Sequence, residues 1–193
     1  MKINFQLSTF NFVLIGSVSL LLFSCGGGKN GKMDSAELRK SGIDSIHSVE
    51  AKLRNLTTAD PTLYNKALLT YSSFATNFPD DTMAAYCLFR AANYASNLNQ
   101  YQRALSIYDT ISKKYPNFKG GAECLFNQAF IYDDKLKDTA HAHKFYQMVI
   151  DKYPHTKLDS DAHAAISQLG KSTDEIIREF EEKNKAKAAG ANK

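Results

Sequence analysis

Residues 101–116 read YQRALSIYDTISKKYP, and the reading of this stretch decides the fold. Ala104, Tyr108 and Ile111 follow one another at steps of four and three, with polar residues between them. That spacing puts them on one face of an α-helix. Tyr115-Pro116 closes the stretch, because proline has no N–H to give a helix and keeps the residue before it out of the helical region. The same text occurs twice more, as YNKALLTYSSFATNFP at 64–79 and TAHAHKFYQMVIDKYP at 139–154. The defining positions are Ala67, Tyr71 and Pro79; Ala104, Tyr108 and Pro116; and Ala142, Tyr146 and Pro154. The small residue lets helices approach, and the aromatic fills the space beside it.

Between these helices lie others. CLFRAANYA at 87–95 and CLFNQAFIY at 124–132 align, Leu88 with Leu125 and Ala92 with Ala129. Each unit is therefore a pair of antiparallel helices, repeating after 37 and then 38 residues. Local signals agree. Asp60-Pro61 reads as an N-cap with proline in the first turn. Asp138 reads as the N-cap of the helix after it, and Gly170 as a C-cap. Ser172 and Glu175 read as a capping box. Ile43, Ile46, Val49 and Leu53 mark a helix over the first repeat, and Ile176, Ile177 and Phe180 one able to close the far end. The expectation is an all-α solenoid of antiparallel helix pairs, with about eight helices.

These units resemble the tetratricopeptide repeat (TPR) family. Its pattern falls on Leu88, Ala91, Ala92, Ala95, Ala104, Tyr108 and Pro116, then on Leu125, Gln128, Ala129, Tyr132, Ala142, Tyr146 and Pro154. The first helix of each pair lacks the family's tryptophan and has alanine in place of glycine. About three extra residues lie between each proline and the next helix. The longer unit is similar to that of envelope TPR proteins such as the BAM-complex assembly lipoprotein and the Tol–Pal-associated coordinator. The ending LGKSTDEIIREF at 169–180 looks like that of TPR lipoproteins of the Bacteroidetes type. In the family, the first helix of each unit lines a concave face. That implies a candidate binding face of Tyr86, Phe89 and Asn93 from one unit, and Glu123, Phe126 and Phe130 from the next. Aromatic and mildly polar residues there suit an apolar peptide or helix. Packing between helices is the competing reading of the same aromatics.

The first residues carry a different message. Lys2 precedes an apolar run from Phe12 to Phe23, broken by Gly16, Ser17 and Ser19. It is short for a membrane span, which takes about 20 apolar residues, and has the layout of a secretory signal. LFSC at 22–25 resembles the lipobox of bacterial lipoproteins. The resemblance implies cleavage before Cys25, a diacylglycerol on its sulfur, and an acylated new amino terminus. The Gly26 that follows lacks the inner-membrane retention signal, so an outer-membrane anchor facing the periplasm is implied. GGGKNGK at 26–32 reads as a flexible tether. The chain therefore divides into a signal at 1–24, the lipidated cysteine and tether at 25–41, an N-terminal capping helix at 42–58, repeats at 59–170, and a capping helix with a basic tail at 171–193.

Charge excludes one class of partner. The net charge of +4 conceals an even mixture: 6 basic and 5 acidic residues from Lys29 to Asp60, 11 and 10 from Pro61 to Gly170, and 6 and 5 from Lys171 to Lys193. No segment has the one-sided basicity that phosphate binding needs. No metal site is expected either. His141 and His143, two apart on a helix, point in different directions, and His47, His155 and His163 have no partner at a ligand spacing. The three aspartates of YDDKLKD at 132–138 read as helix-end and loop composition. Cys87 and Cys124 hold equivalent places in successive units and read as core thiols, since neighbouring stacked helices set such places about 8–10 Å apart, too far for a disulfide. No nucleophile, base and orienting group converge, so no enzyme and no cofactor beyond the lipid on Cys25 is expected. The leading expectation is a lipid-anchored envelope adaptor that binds another protein or peptide. The alternatives are a linker between membrane and peptidoglycan and a small-ligand-binding lipoprotein.

Overall fold

Three helices end in the same way, and the repeat is visible first in those ends. The computed structural model describes residues 34–190, apart from some side chains of the last helix. The residues before the prolines, Phe78, Tyr115 and Tyr153, have φ/ψ of −131°/62°, −129°/60° and −131°/52°. Each still donates its N–H to the carbonyl four residues back, at 2.8–2.9 Å. The proline that follows then takes the chain out of the helix.

The described chain forms eight α-helices: α1 (Ser35–Arg54), α2 (Pro61–Asn77), α3 (Ala84–Asn97), α4 (Tyr101–Lys114), α5 (Gly121–Phe130), α6 (Thr139–Lys152), α7 (Lys157–Gln168) and α8 (Thr173–Gly190). α1 packs on α2, α2 on α3, α3 on α4, α5 on α6 and α6 on α7. The expected all-α solenoid of helix pairs is thus the observed architecture. Ala67, Ala104 and Ala142 are fully buried, and so are Tyr71, Tyr108 and Tyr146 to within 2 %. Burying each ring contributes roughly 1.5–3 kcal/mol. Asp60 accepts from the N–H groups of Thr62 and Leu63, and Asp138 from that of His141. The Ser172–Glu175 box closes in both directions, and Gly170 has φ +75°, where a side chain would be strained. Cys87 and Cys124 are free, buried thiols, and burial pushes both up to about 12.

The uneven period has a structural cause. Cys87 and Ala104 are 17 positions apart, and Cys124 and Ala142 are 18 apart. The extra residue is absorbed by a π turn at Ile131–Lys135, where the Leu136 N–H reaches the Ile131 carbonyl five residues back. Beyond it the register is restored. Asn99 and Lys137, 38 apart, both take the left-handed conformation that ends a helix, with φ 59° and 54°.

Both ends of the array depart from the expected boundaries. α1 starts at Ser35, inside the segment read as tether; its first turns contain good helix formers but little apolar periodicity. At the other end α8 packs extensively against none of the other helices. Ile176 is half-buried and Ile177 is 51 % exposed, and the side chain of Phe180 lies outside those described. α7 buries Ala162, and Leu158, Ile166 and Leu169 pack with it against α5 and α6. The signal segment, Cys25 and the tether up to residue 33 lie outside the described residues. Among the described residues, no helix is long and apolar enough to cross a membrane.

Candidate functional site

The first helices of the pairs present the features that ask for a function. Each buried repeat tyrosine has its ring in the core, and Tyr71 and Tyr108 direct their hydroxyls at a polar group on a first helix. Tyr71 donates to Glu50 Oε1 at 2.6 Å, and Tyr108 to Asn93 Oδ1 at 2.5 Å. Burial is the main reason that both hydroxyls are pushed well above the usual phenol range. Glu50 raises Tyr71 further, and the Asn127 hydrogen bond lowers Tyr108. Tyr146 is pushed up to about 12 by burial, then by Asp133 and Asp134, both in the π turn. These hydroxyls stay protonated, so they act as fixed donors on this face.

Two depressions follow this line of hydroxyls. The first, of about 500 Å³, lies among α1, α2 and α3 and is walled by Glu50, Arg54, Tyr64, Arg90, Tyr94 and Asn97. The second, of about 310 Å³, lies between α3 and α5 and is walled by Asn93, Asn97, Tyr108, Asn127, Phe130 and Ile131. Asn97 belongs to both, so they form one run across two units. In the second, Asn127 Nδ2 donates to Asn93 Oδ1 at 3.3 Å and to Tyr108 Oη at 3.1 Å. The triad holds the two amides in place and leaves one end of each, Asn93 Nδ2 and Asn127 Oδ1, without a hydrogen bond among the described residues.

The six residues singled out in the sequence divide. Asn93 and Phe130 line this run, and Phe130 is 47 % exposed with Lys135 Nζ 5.8 Å from its ring. Tyr86 is exposed and lines neither depression, its hydroxyl accepting from Arg90 Nη1 at 3.5 Å. Phe89 and Phe126 turn inward instead. Phe89 packs against Tyr108 and Phe118, with centroids 6.3 and 6.0 Å away, and Phe126 meets the edge of Tyr146 at 5.3 Å. They pack beside the buried tyrosines. Glu123 is exposed and borders neither depression.

Glu50, Tyr64, Arg90, Tyr94, Asn97 and Asn127 also line the run, and the repeat pattern does not mark them. A signal for some of them existed. Arg90, Asn93 and Asn97 stand at steps of three and four on α3, and Asn127 holds Arg90's place one unit on. No group of three or more His, Cys, Asp or Glu that could hold a metal ion occurs among the described residues.

The tetratricopeptide repeat family profile matches two segments, residues 86–117 and 123–156. They correspond to α3–α4 and to α5–α6 with the π turn between. No curated protein matches the chain. Tetratricopeptide repeats generally bind other proteins or peptides and serve as scaffolds.

Proposed function

We propose that this protein is an envelope adaptor, lipid-anchored through Cys25 and facing the periplasm, whose repeats bind a peptide segment of another envelope protein. The supporting observation is the run of polar and aromatic side chains across α1, α3 and α5. Its amides are fixed by the Asn93–Tyr108–Asn127 triad, with a donor and an acceptor left over. An extended peptide backbone needs such a donor and acceptor. The anchor follows from the lipobox resemblance at Cys25 and would raise the local concentration of a partner in the same membrane, so modest contacts suffice. Outer-membrane assembly and coordination of envelope constriction are the processes that suit it.

Crosslinking in cells followed by mass spectrometry tests the adaptor. A protein partner whose crosslinks cluster on α1, α3 and α5 is expected. Recovery of peptidoglycan and lipid alone would replace the adaptor with a structural linker. For the anchor, Cys25→Ala is expected to move the protein out of the membrane fraction. Retention of that variant in membranes at high salt would exclude acylation at Cys25.

A further inference from the structure

The first depression contains two arginines without an acidic partner among the described residues. Arg90 on α3 lies among three aromatic rings, its guanidinium carbon 5.6 Å from the centroid of Tyr71, 5.5 Å from Tyr94 and 6.0 Å from Tyr86. It donates to Tyr94 Oη at 2.9 Å. Arg54 stands on the same wall, at the end of α1. Neither arginine makes an ion pair among the described residues. The one carboxylate on that wall, Glu50, already accepts the Tyr71 hydroxyl.

Ring faces attract a guanidinium but leave its charge uncancelled. They also restrict its rotation, so its planar fork of donors is set in advance for a two-oxygen acceptor. Phenols occupy only part of that fork. The wall carries two cations against one anion, so its charge is complementary to an acidic group. At the opposite end of the run, Phe130 offers an exposed ring to an apolar side chain.

We infer that the α1–α3 depression is a subsite for an aspartate or glutamate side chain of the partner, received by Arg90 with Arg54 beside it. This rests on the peptide-binding reading above and adds a ligand chemistry and a direction to it. The bound segment places its carboxylate between α1 and α3. It crosses Asn97 and sets an apolar residue against Phe130.

The test is selection of a random-peptide phage library on the full chain in detergent, with free peptide carboxyl ends excluded by the display. Thermal melting first checks that the variants fold as the wild type does. Peptides enriched by the wild type are expected to share an acidic residue, with an apolar one to one side of it. Arg90→Gln is expected to weaken the enriched peptide about tenfold or more, the scale of a lost charge-assisted hydrogen-bonded pair. Glutamine for the acid in the peptide is expected to do the same, and the two changes together no more than either alone. Arg54→Gln, on an exposed side chain, gives a second reading if Arg90→Gln lowers stability. Asn97→Tyr fills the wall common to both depressions. Peptides without an acid that Asn97→Tyr still blocks would overturn the carboxylate subsite and keep the groove. Peptides indifferent to Asn97→Tyr would overturn the groove and the subsite with it, and so would the enrichment of none.

Discussion

The first two helix pairs and the helices after them are built from one repeat but packed to different standards. Nineteen buried side chains, mostly from α1–α4, form one cluster that takes in only Cys124 and Ile131 from beyond it, whereas six form the cluster of α5–α7. α3 lies close along α2, and α5 meets α4 over a smaller area. One equivalent position differs in kind between the two joints. The stripe of α3 that carries Cys87 and Ala91 is repeated on α5 by Cys124 and Gln128. Ala91 is fully buried and small, while Gln128 is buried to 4 % exposure and its Oε1 has no donor among the described residues. A long polar side chain in an alanine's place keeps two helices apart and costs the desolvation of its carbonyl, about 1–3 kcal/mol. A repeat can therefore preserve its topology while one residue sets how firmly adjacent units join.

The largest effects expected follow from removing the repeat tyrosines. Tyr71→Ala and Tyr146→Ala each empty a fully buried site, at about 3–5 kcal/mol. Their consequences should differ by region. Tyr71→Ala is expected to lower protection from hydrogen exchange along α1–α4 and beyond. Tyr146→Ala is expected to release α5–α7 while α1–α4 stays protected, because units in such arrays are coupled mainly to their neighbours. Equal loss across all helices in Tyr146→Ala would mean that the joint between α4 and α5 is as strong as the others.

Exchanging the residues at the joint sharpens the comparison. Ala91→Gln is expected to destabilise by at least about 2 kcal/mol, from overpacking and from a buried amide. Gln128→Met keeps the volume and removes the unpartnered carbonyl. It is expected to stabilise by about 1 kcal/mol, raising the melting temperature by about 2–4 °C. A fall in that temperature would show that Gln128 makes a hydrogen bond worth more than its burial costs.

The parts of this molecule readable from sequence are those that a single helix decides. Ala104, Tyr108 and Ile111 announce a buried face whatever lies opposite, and Asp60, Asp138 and Ser172 announce caps because their partners are two or three residues away. The groove is decided between helices. Phe89 and Phe126 look like binding aromatics until Tyr108 and Tyr146 are seen beside them. Arg90 reads as a solvated charge until Tyr71, from the preceding helix, comes beneath it. The step from 37 to 38 showed that a residue had been added, but only the hydrogen bond from Leu136 to Ile131 shows where it went. The start of α1 is hidden in the sequence because Leu38 is the one large apolar residue in its first two turns.

A smaller effect separates the regions by pH. In the first, Arg39 on α1 pairs with Asp81 in the turn between α2 and α3. That hydrogen bond, with the Met83 N–H behind it, holds the Asp81 carboxyl below its ordinary range. A carboxyl lowered by folding adds stability above its unfolded value, and that stability is lost as the pH falls through the folded one. Acidification from about pH 5 to pH 3 is therefore expected to loosen α1. In the second region Asp138 is also held low, first by the His141 N–H and then by its ring. That contact lies within one helix start, so its loss frays α6 and leaves the helix pairs joined. Hydrogen exchange at a series of pH values separates the two. Asp81→Asn should give an α1 that is less protected at neutral pH and unresponsive to acid, with α6 unchanged. The effect is modest because Arg39 is 43 % exposed and water screens the pair. If α1 in Asp81→Asn still loosens with acid as the wild type does, another carboxyl joins it to α2 and α3, and the Arg39 pair is only a surface contact.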